Sequence, residues 1–350
     1  MTDGIGANGI LNGGSGTNGA ATNDKQPAEK KLTDLESALS LAQEEVDRAL
    51  YSSPTVVRNY TKHLAGAKGK FIRAVSLLTC AADRDGFVDV NAVKLAAAVE
   101  VLHLATLVHD DVIDDADMRR GQPSLQKMFG KRTAVICGDY LLSVALRIAA
   151  SVENKKDYID KGYLDLKVPD YVGRICTGEL RQHINNGNFR LSVLQYLKII
   201  SGKTAALFEA SFYAGAQLSG CRQEEINAYK KMGHCLGMIF QLTDDCMDFE
   251  ADESVAKKPV QSDFEKNVVT LPMIKAFHDD AQLLQKAQSN ELTRDELNKA
   301  VIRTEGLAFT RMLAKKYYNK YLKLLGRLDI SENKSKRLKE ILNKAFREFN

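Results

Sequence analysis

Apolar residues recur at spacings of three and four along most of the chain, the repeat of a helix that buries one face. Leu32, Leu35, Leu39, Leu41, Ala42, Val46 and Leu50 show it first. The same pattern predicts helices over 55–65, 69–82, 90–110, 124–130, 132–152, 168–184, 191–216, 222–250, 268–287, 294–302, 306–325 and 331–348. Short Gly, Asn or Asp turns separate them, and no alternating strand pattern competes. Pro123 and Pro272 suit helix starts, and Asn91, Thr293 and Ser331 are candidate N-caps, the last two followed by acidic residues. Residues 1–30 are different. They are rich in Gly, Asn, Thr and Ala, with Ile5, Ile10 and Leu11 as their few large apolar side chains, so burial cannot offset the entropy of ordering them. The expectation is a disordered tail followed by a single all-α domain over 31–350, since no repeat and no Pro/Ser-rich linker divides that stretch.

Composition agrees with this reading. A chain of 350 residues, 44% hydrophobic, with 6 Pro and no Trp, can bury a large core and excludes a small disulfide-stapled scaffold or an all-β fold. Its 49 basic and 45 acidic residues give +4, which offers no argument for a nucleic-acid partner. The six cysteines form no Cys-x-x-Cys pair and no zinc-ligand spacing, as expected of reduced thiols in a cytoplasmic protein. There is no signal-peptide pattern, and no run of about twenty apolar residues is expected to span a membrane.

Two acidic clusters change the picture. Asp110, Asp111 and Asp114 end an otherwise apolar helix, and Asp244, Asp245 and Asp248 repeat that spacing after Leu236, Met238, Ile239 and Phe240. At about 3.6 residues per turn, the first and last carboxylates of each cluster lie about 40° apart on one helix face. Three like charges at the end of a buried helix are costly unless cations neutralise them. Magnesium fits best, because it takes oxygen ligands and bridges protein carboxylates to phosphates. The implied ligand is a diphosphate, and the bland alternative is a pair of solvated helix ends. Lys68, Lys70 and Arg73 around Gly66 and Gly69, Arg119 and Arg120 just past Asp114, and His103 two turns before Asp110 are the candidate anion-binding groups. Gly202-Lys203-Thr204 is no nucleotide-binding loop: Leu197 stands where that loop needs its first glycine, and no strand precedes it.

These residues together resemble the trans-isoprenyl diphosphate synthases, the head-to-tail polyprenyl chain elongators. The resemblance runs from about 68 to 272 through Gly69-Lys70-x-x-Arg73, His103 to Asp114, Asp117-Met118-Arg119-Arg120-Gly121, Gly178-Glu179-x-Arg181-Gln182, Gly202-Lys203-Thr204-Ala205 and Phe240-Gln241-x-x-Asp244-Asp245-x-x-Asp248. It implies an isoprenoid-synthase helical bundle around a deep cavity, usually a homodimer. It implies an allylic diphosphate held by three Mg2+ ions on Asp110, Asp114 and Asp244, with Asp111, Asp245 and Asp248 in support and with Arg119, Lys203 and Lys258 as further cations. Lys70, Arg73, His103 and Arg120 would hold isopentenyl diphosphate, while Thr204 and Gln241 would line the cation region. The family's second lysine before Thr-Leu-Pro is replaced by Val268, and Lys266 would substitute only if the loop shifts. Small or aliphatic Ala105, Thr106, Leu102 and Val99 before Asp110 imply a product longer than farnesyl diphosphate, geranylgeranyl or beyond with heptaprenyl to decaprenyl favoured, unless Phe208 or Phe212 closes the tunnel. Rival readings are a non-catalytic or weakly active subunit of a heteromeric synthase, including a heterodimer with a small subunit, and a class I terpene cyclase. Peripheral membrane contact for product release is a further expectation.

Overall fold

In the computed structural model the described residues are 32–66, 69–152, 167–250 and 262–346; the tail, Lys68 and Lys258 lie outside them. The first helix, α1 (Leu35–Tyr51), starts at Asp34, whose carboxylate accepts from the Glu36 and Ser37 amides, and turns Ala38, Ala42, Val46 and Leu50 inward. It is followed by α2 (Thr55–Ala65), α3 (Ile72–Ala81), α4 (Val90–Ile113), α5 (Leu125–Phe129) and α6 (Lys131–Ala150). Next come α7 (Val168–Ile184), α8 (Val193–Ile200), a π-helical turn (Ser201–Ala205), α9 (Ala206–Leu218) and α10 (Gln223–Glu250). The chain ends with α11 (Ser262–Glu265), α12 (Leu271–Asp279), α13 (Ala281–Gln288), α14 (Arg294–Arg303), α15 (Gly306–Leu325) and α16 (Glu332–Phe346). The architecture is all-α, and Leu32–Asn350 gathers into one contact unit.

Helices α4 and α10 run through the middle. α4 packs on α1, α3, α6 and α9, and α10 packs on α9, α15 and α16. One large apolar cluster contains Val101, Leu102, Ala105 and Val108 of α4, Phe208 and Phe212 of α9, and Met232, Leu236 and Ile239 of α10. Because α4 is enclosed, it is apolar almost all round. It therefore meets the length and composition of a membrane span, as does α6, contrary to the sequence expectation; 61% of the α4 window and 39% of the α6 window is buried in the fold.

The structure corrects other expectations locally. The 191–216 helix is interrupted by the π-turn, and 268–287 breaks at Asp280, which is extended and caps α13 by accepting from the Leu283 amide. Asp89, not Asn91, caps α4. Thr293 caps α14 in a reciprocal pair with Glu296, as its spacing predicts. Short strands also occur: β1 (Leu32–Asp34) pairs with β2 (Phe87–Asp89), and β3 (Met118–Arg119) pairs with β4 (Gln122–Pro123). Pro123 thus sits in a strand, and Ser124 caps α5.

Candidate active site

The first acidic cluster is the C-terminal end of α4, where Asp114 is the C-cap and its amide donates to the Asp110 carbonyl. Carboxylates at this end of a helix meet the negative pole of its dipole, which adds to the cost of burying them. Burial pushes the Asp110 carboxyl up to about 7; Lys203 opposes that shift, and Glu179 and Asp114 reinforce it. Asp111 is buried and spoken for, accepting from Arg119 through both Nε, at 2.8 Å, and Nη2.

Arg119 reaches Asp111 because the chain folds back immediately after α4. β3 and β4 form a hairpin whose two turn residues, Arg120 and Gly121, both have positive φ, 51° and 79°. That is the turn whose twist suits a tight hairpin, and it explains why an Arg-Gly pair stands there. Arg119 points back to α4, while Arg120 lies against Gly69, where a Cβ would come within 2.8 Å of its Nη1. On the other side of Gly69, Phe71 takes φ 50° and offers no side-chain cap to α3. Glu100 of α4 supplies one, accepting from the Ala74 amide at 2.9 Å.

Arg73, in the first turn of α3, is placed over the Phe208 ring, 4.5 Å from its centroid, and its buried Nε meets no acceptor. Burial brings Arg73 down to about 10, with Glu100 opposing. His103 is held well below its usual value by burial and then by Arg73, Arg120 and Arg119, so its imidazole is neutral. A cleft lined by Gly69, Phe71, Glu100, His103, Leu104 and Arg120 opens here. Three guanidiniums around one neutral imidazole make a site for an anion. Exposed Lys70 stands beside it on the loop.

The π-turn joins the two acidic helices. Gly178 of α7 and Gly202 of the turn touch backbone to backbone: a Cβ on Gly178 would lie 2.2 Å from the Lys203 amide nitrogen. This close approach sets Lys203 against Glu179, 2.8 Å away, and within the field of Asp110 and Asp114. Burial disfavours the charged ammonium, but Asp110 and Glu179 outweigh it and raise its pKa. The next residue, Thr204, donates to Gln241 Oε1 at 2.7 Å; Gln241 Nε2 donates to Asp245 at 3.0 Å, and the Tyr196 hydroxyl donates to the other Asp245 oxygen. Asp245 is fully enclosed, and burial pushes it up to about 7 despite these donors.

Each motif is therefore divided in the same way. The second aspartate is buried and tied to protein donors, whereas no hydrogen bond or ion pair engages the carboxylate of Asp110 or of exposed Asp244 among the described residues. Asp114 has Lys266 Nζ at 3.9 Å. The left-handed turn at Asn267, whose carbonyl accepts from the Gly187 amide at 2.7 Å, accompanies that approach, so Lys266 reaches the acidic cluster although Val268 does not carry the family's lysine. Of the residues proposed to set chain length, Ala105 and Leu102 are buried in the main core, and Thr106 donates to the His103 carbonyl. Phe208 lies under Arg73 and against Phe240, and Phe212 packs on Tyr321.

No group of three or more His, Cys, Asp or Glu side chains converges as an all-protein metal cage among the described residues. The donor set suits Mg2+ nonetheless, since that ion keeps waters and takes one or two carboxylates together with substrate phosphate. The charge on Asp110 is incompletely met by Lys203, which Glu179 already holds. The sequence alone assigns no role to Glu179, although the Gly178-Glu179 pair is visible, nor to Glu100 or Tyr196.

A helical bundle that sets two acidic helices about one lysine turn, beside a pocket of arginines, defines a class of all-α enzymes that handle diphosphate esters. A sequence profile described as "Polyprenyl synthetase" matches residues 54–304, and the chain belongs to that family. It is 34% identical to a protein of Geobacillus stearothermophilus named heptaprenyl diphosphate synthase component 2, over 85% of this chain and 92% of that one. The crystal structure of heptaprenyl diphosphate synthase from Staphylococcus aureus superposes with a TM-score of 0.80 at 27% identity, covering 91% of this chain and 99% of the other. A polyprenyl synthase from Caulobacter crescentus, solved with calcium and isoprenyl diphosphate, gives 0.78 at 28% identity over 89% and 94%. The chain is a prenyltransferase with the isoprenoid-synthase fold, a trans-polyprenyl diphosphate synthase, and the cyclase reading is set aside. Magnesium dependence is typical of the family.

Proposed function

We propose that the chain extends an allylic diphosphate by isopentenyl units to a product longer than farnesyl diphosphate, in the heptaprenyl to decaprenyl range. The division of labour within the two acidic motifs carries this reading: Asp110, Asp114 and Asp244 take the metal side of the site, while Asp111 and Asp245 fix Arg119 and Gln241 in place. Those three aspartates would hold magnesium, three ions with the diphosphate bound, which would supply the charge that lets the diphosphate leave; Asp248 would support the second motif. Lys203, Arg119 and Lys266 face the same leaving group, and the family resemblance adds Lys258, which lies outside the described residues.

Lys70, Arg73, Arg120 and neutral His103 bind the diphosphate of isopentenyl diphosphate, with Arg73 held on Phe208. The allylic C–O bond breaks heterolytically, the isopentenyl double bond attacks the allylic cation, and a proton then leaves to the released diphosphate. Thr204 and Gln241, hydrogen-bonded to each other, would line the cation region. Orientation and pre-placed charge supply most of the rate.

The exposed apolar residues Val135 and Ile136 of α6 and Leu180 and Ile184 of α7 would cover one another in a homodimer. A second reading, a chain that needs a different subunit, is favoured by the name "component 2" borne by a relative matched along 92% of its length. Labelled isopentenyl diphosphate supplied with farnesyl diphosphate and Mg2+ separates the two: extension by the purified chain alone supports the first, and extension only after a partner is added supports the second.

A further inference from the structure

Helix α7 and the π-turn meet where two glycines let their backbones touch. A Cβ on Gly202 would lie 2.9 Å from the Gly178 Cα and 3.0 Å from the Arg174 carbonyl oxygen, so a side chain there would force the backbones apart. The residues that follow the two glycines, Glu179 and Lys203, are thereby set side by side. Both Glu179 oxygens face the Lys203 ammonium, Oε1 at 2.9 Å and Oε2 at 2.8 Å. The Glu179 and Lys203 side chains are only 15% and 21% exposed. An ion pair drawn this far out of water adds little net stability, because desolvation offsets the attraction. Its place beside Asp110 is what sets it apart.

Asp111 shows how a carboxylate of this cluster is closed: Arg119 takes it through both Nε and Nη2. Lys203 stands near Asp110, close enough for the two charges to act on each other. Yet among the described residues the acidic partner of the ammonium within 4 Å is Glu179, and Asp110 has no cation at that distance. Glu179 also offsets the lysine electrostatically, since the two act on the Asp110 carboxyl with opposite sign. Among the described residues no other hydrogen bond engages the Glu179 carboxylate, so holding Lys203 is what its side chain does.

We propose that Glu179 is a positioning residue for the metal site: it holds and neutralises Lys203, so that the ammonium does not close Asp110 and Asp110 stays open to a divalent cation. The inference rests on the reading of Asp110 as a metal ligand. In this role Glu179 touches neither ion nor substrate. It acts through Lys203, as the partners behind the ligands of a metal centre act through the ligands. A diphosphate held between the acidic helices would offer the same ammonium a second acceptor. The lysine thus serves the leaving group without first blocking the ion.

The test is uptake of Mn2+, which shares the charge and the oxygen preference of Mg2+, by the full-length chain without substrate. The free ion is followed by its electron paramagnetic resonance signal. Glu179→Gln, which keeps the shape and removes the charge, should weaken Mn2+ binding about tenfold, the low end of what partners behind a metal's ligands contribute. Adding Lys203→Met to Glu179→Gln should restore the wild-type affinity, because no ammonium remains to close Asp110. A chain that had merely lost its fold would not be restored by a second substitution. Glu179→Gln binding Mn2+ as wild type does, or a double variant that binds no tighter than Glu179→Gln, overturns the proposal. A wild type that takes up no Mn2+ removes the metal reading of Asp110 itself and this inference with it, so the two failures are told apart.

Discussion

Lys266 shows how far a single side chain can compensate for another. The family's lysine position holds Val268, yet the backbone reverses at Asn267 and brings Lys266 within 3.9 Å of Asp114. Lys266→Ala should raise the KM for the allylic diphosphate about tenfold, the worth of one charge-assisted contact. It should leave the KM for isopentenyl diphosphate nearly unchanged, because on the proposed reading Arg73 and Arg120 hold that substrate. Steady-state kinetics with each substrate varied in turn checks this, and equal effects on both would place Lys266 outside the allylic site. Ala105, 1% exposed on α4, is the other decisive residue. Ala105→Phe should shorten the product as read by mass analysis, at a cost of about 1–3 kcal/mol from overpacking; an unchanged product would refute the chain-length argument.

Among elements, α7, α9 and α10 are tied by Glu209. Arg174 of α7 donates to both its oxygens at 2.7 and 3.0 Å, and Lys230 and His234 of α10 stand 3.6 and 3.5 Å away. Burial raises the Glu209 pKa, but the His234 and Arg174 bonds outweigh it and bring it to about 2, below an ordinary value near 4.5. A depressed carboxylate stabilises the fold above its unfolded pKa, so this contribution is whole above about pH 4.5 and is lost as pH falls toward 2. Glu209→Gln should cost about 2–3 kcal/mol at neutral pH and flatten the acid dependence in that window, as measured by denaturant unfolding. The helices themselves were largely legible, with 55–65, 168–184 and 306–325 recovered to the residue because period and turn residues agree. What stayed hidden depended on tertiary contact. The π-turn at Ser201–Ala205 exists where Gly178 admits the Gly202 backbone, and the Arg120-Gly121 hairpin is too short to show alternation.

For the whole molecule, the acidic motifs could be read because their spacing repeats, and the apolar helices beneath them because burial leaves a composition. Which aspartate is tied to protein donors and which is left open could not be read. Asp111 and Asp245 look like their neighbours until Arg119, Gln241 and Tyr196 are brought to them from distant segments. The central claim is that Asp110 on α4 and Asp244 on α10 serve one diphosphate. Titration calorimetry of a non-reactive allylic diphosphate analogue with Mg2+, across Asp110→Asn, Asp244→Asn and the double variant, measures this most directly. A shared site predicts that the double variant loses clearly less affinity than the sum of the two single losses; strictly additive losses would contradict it.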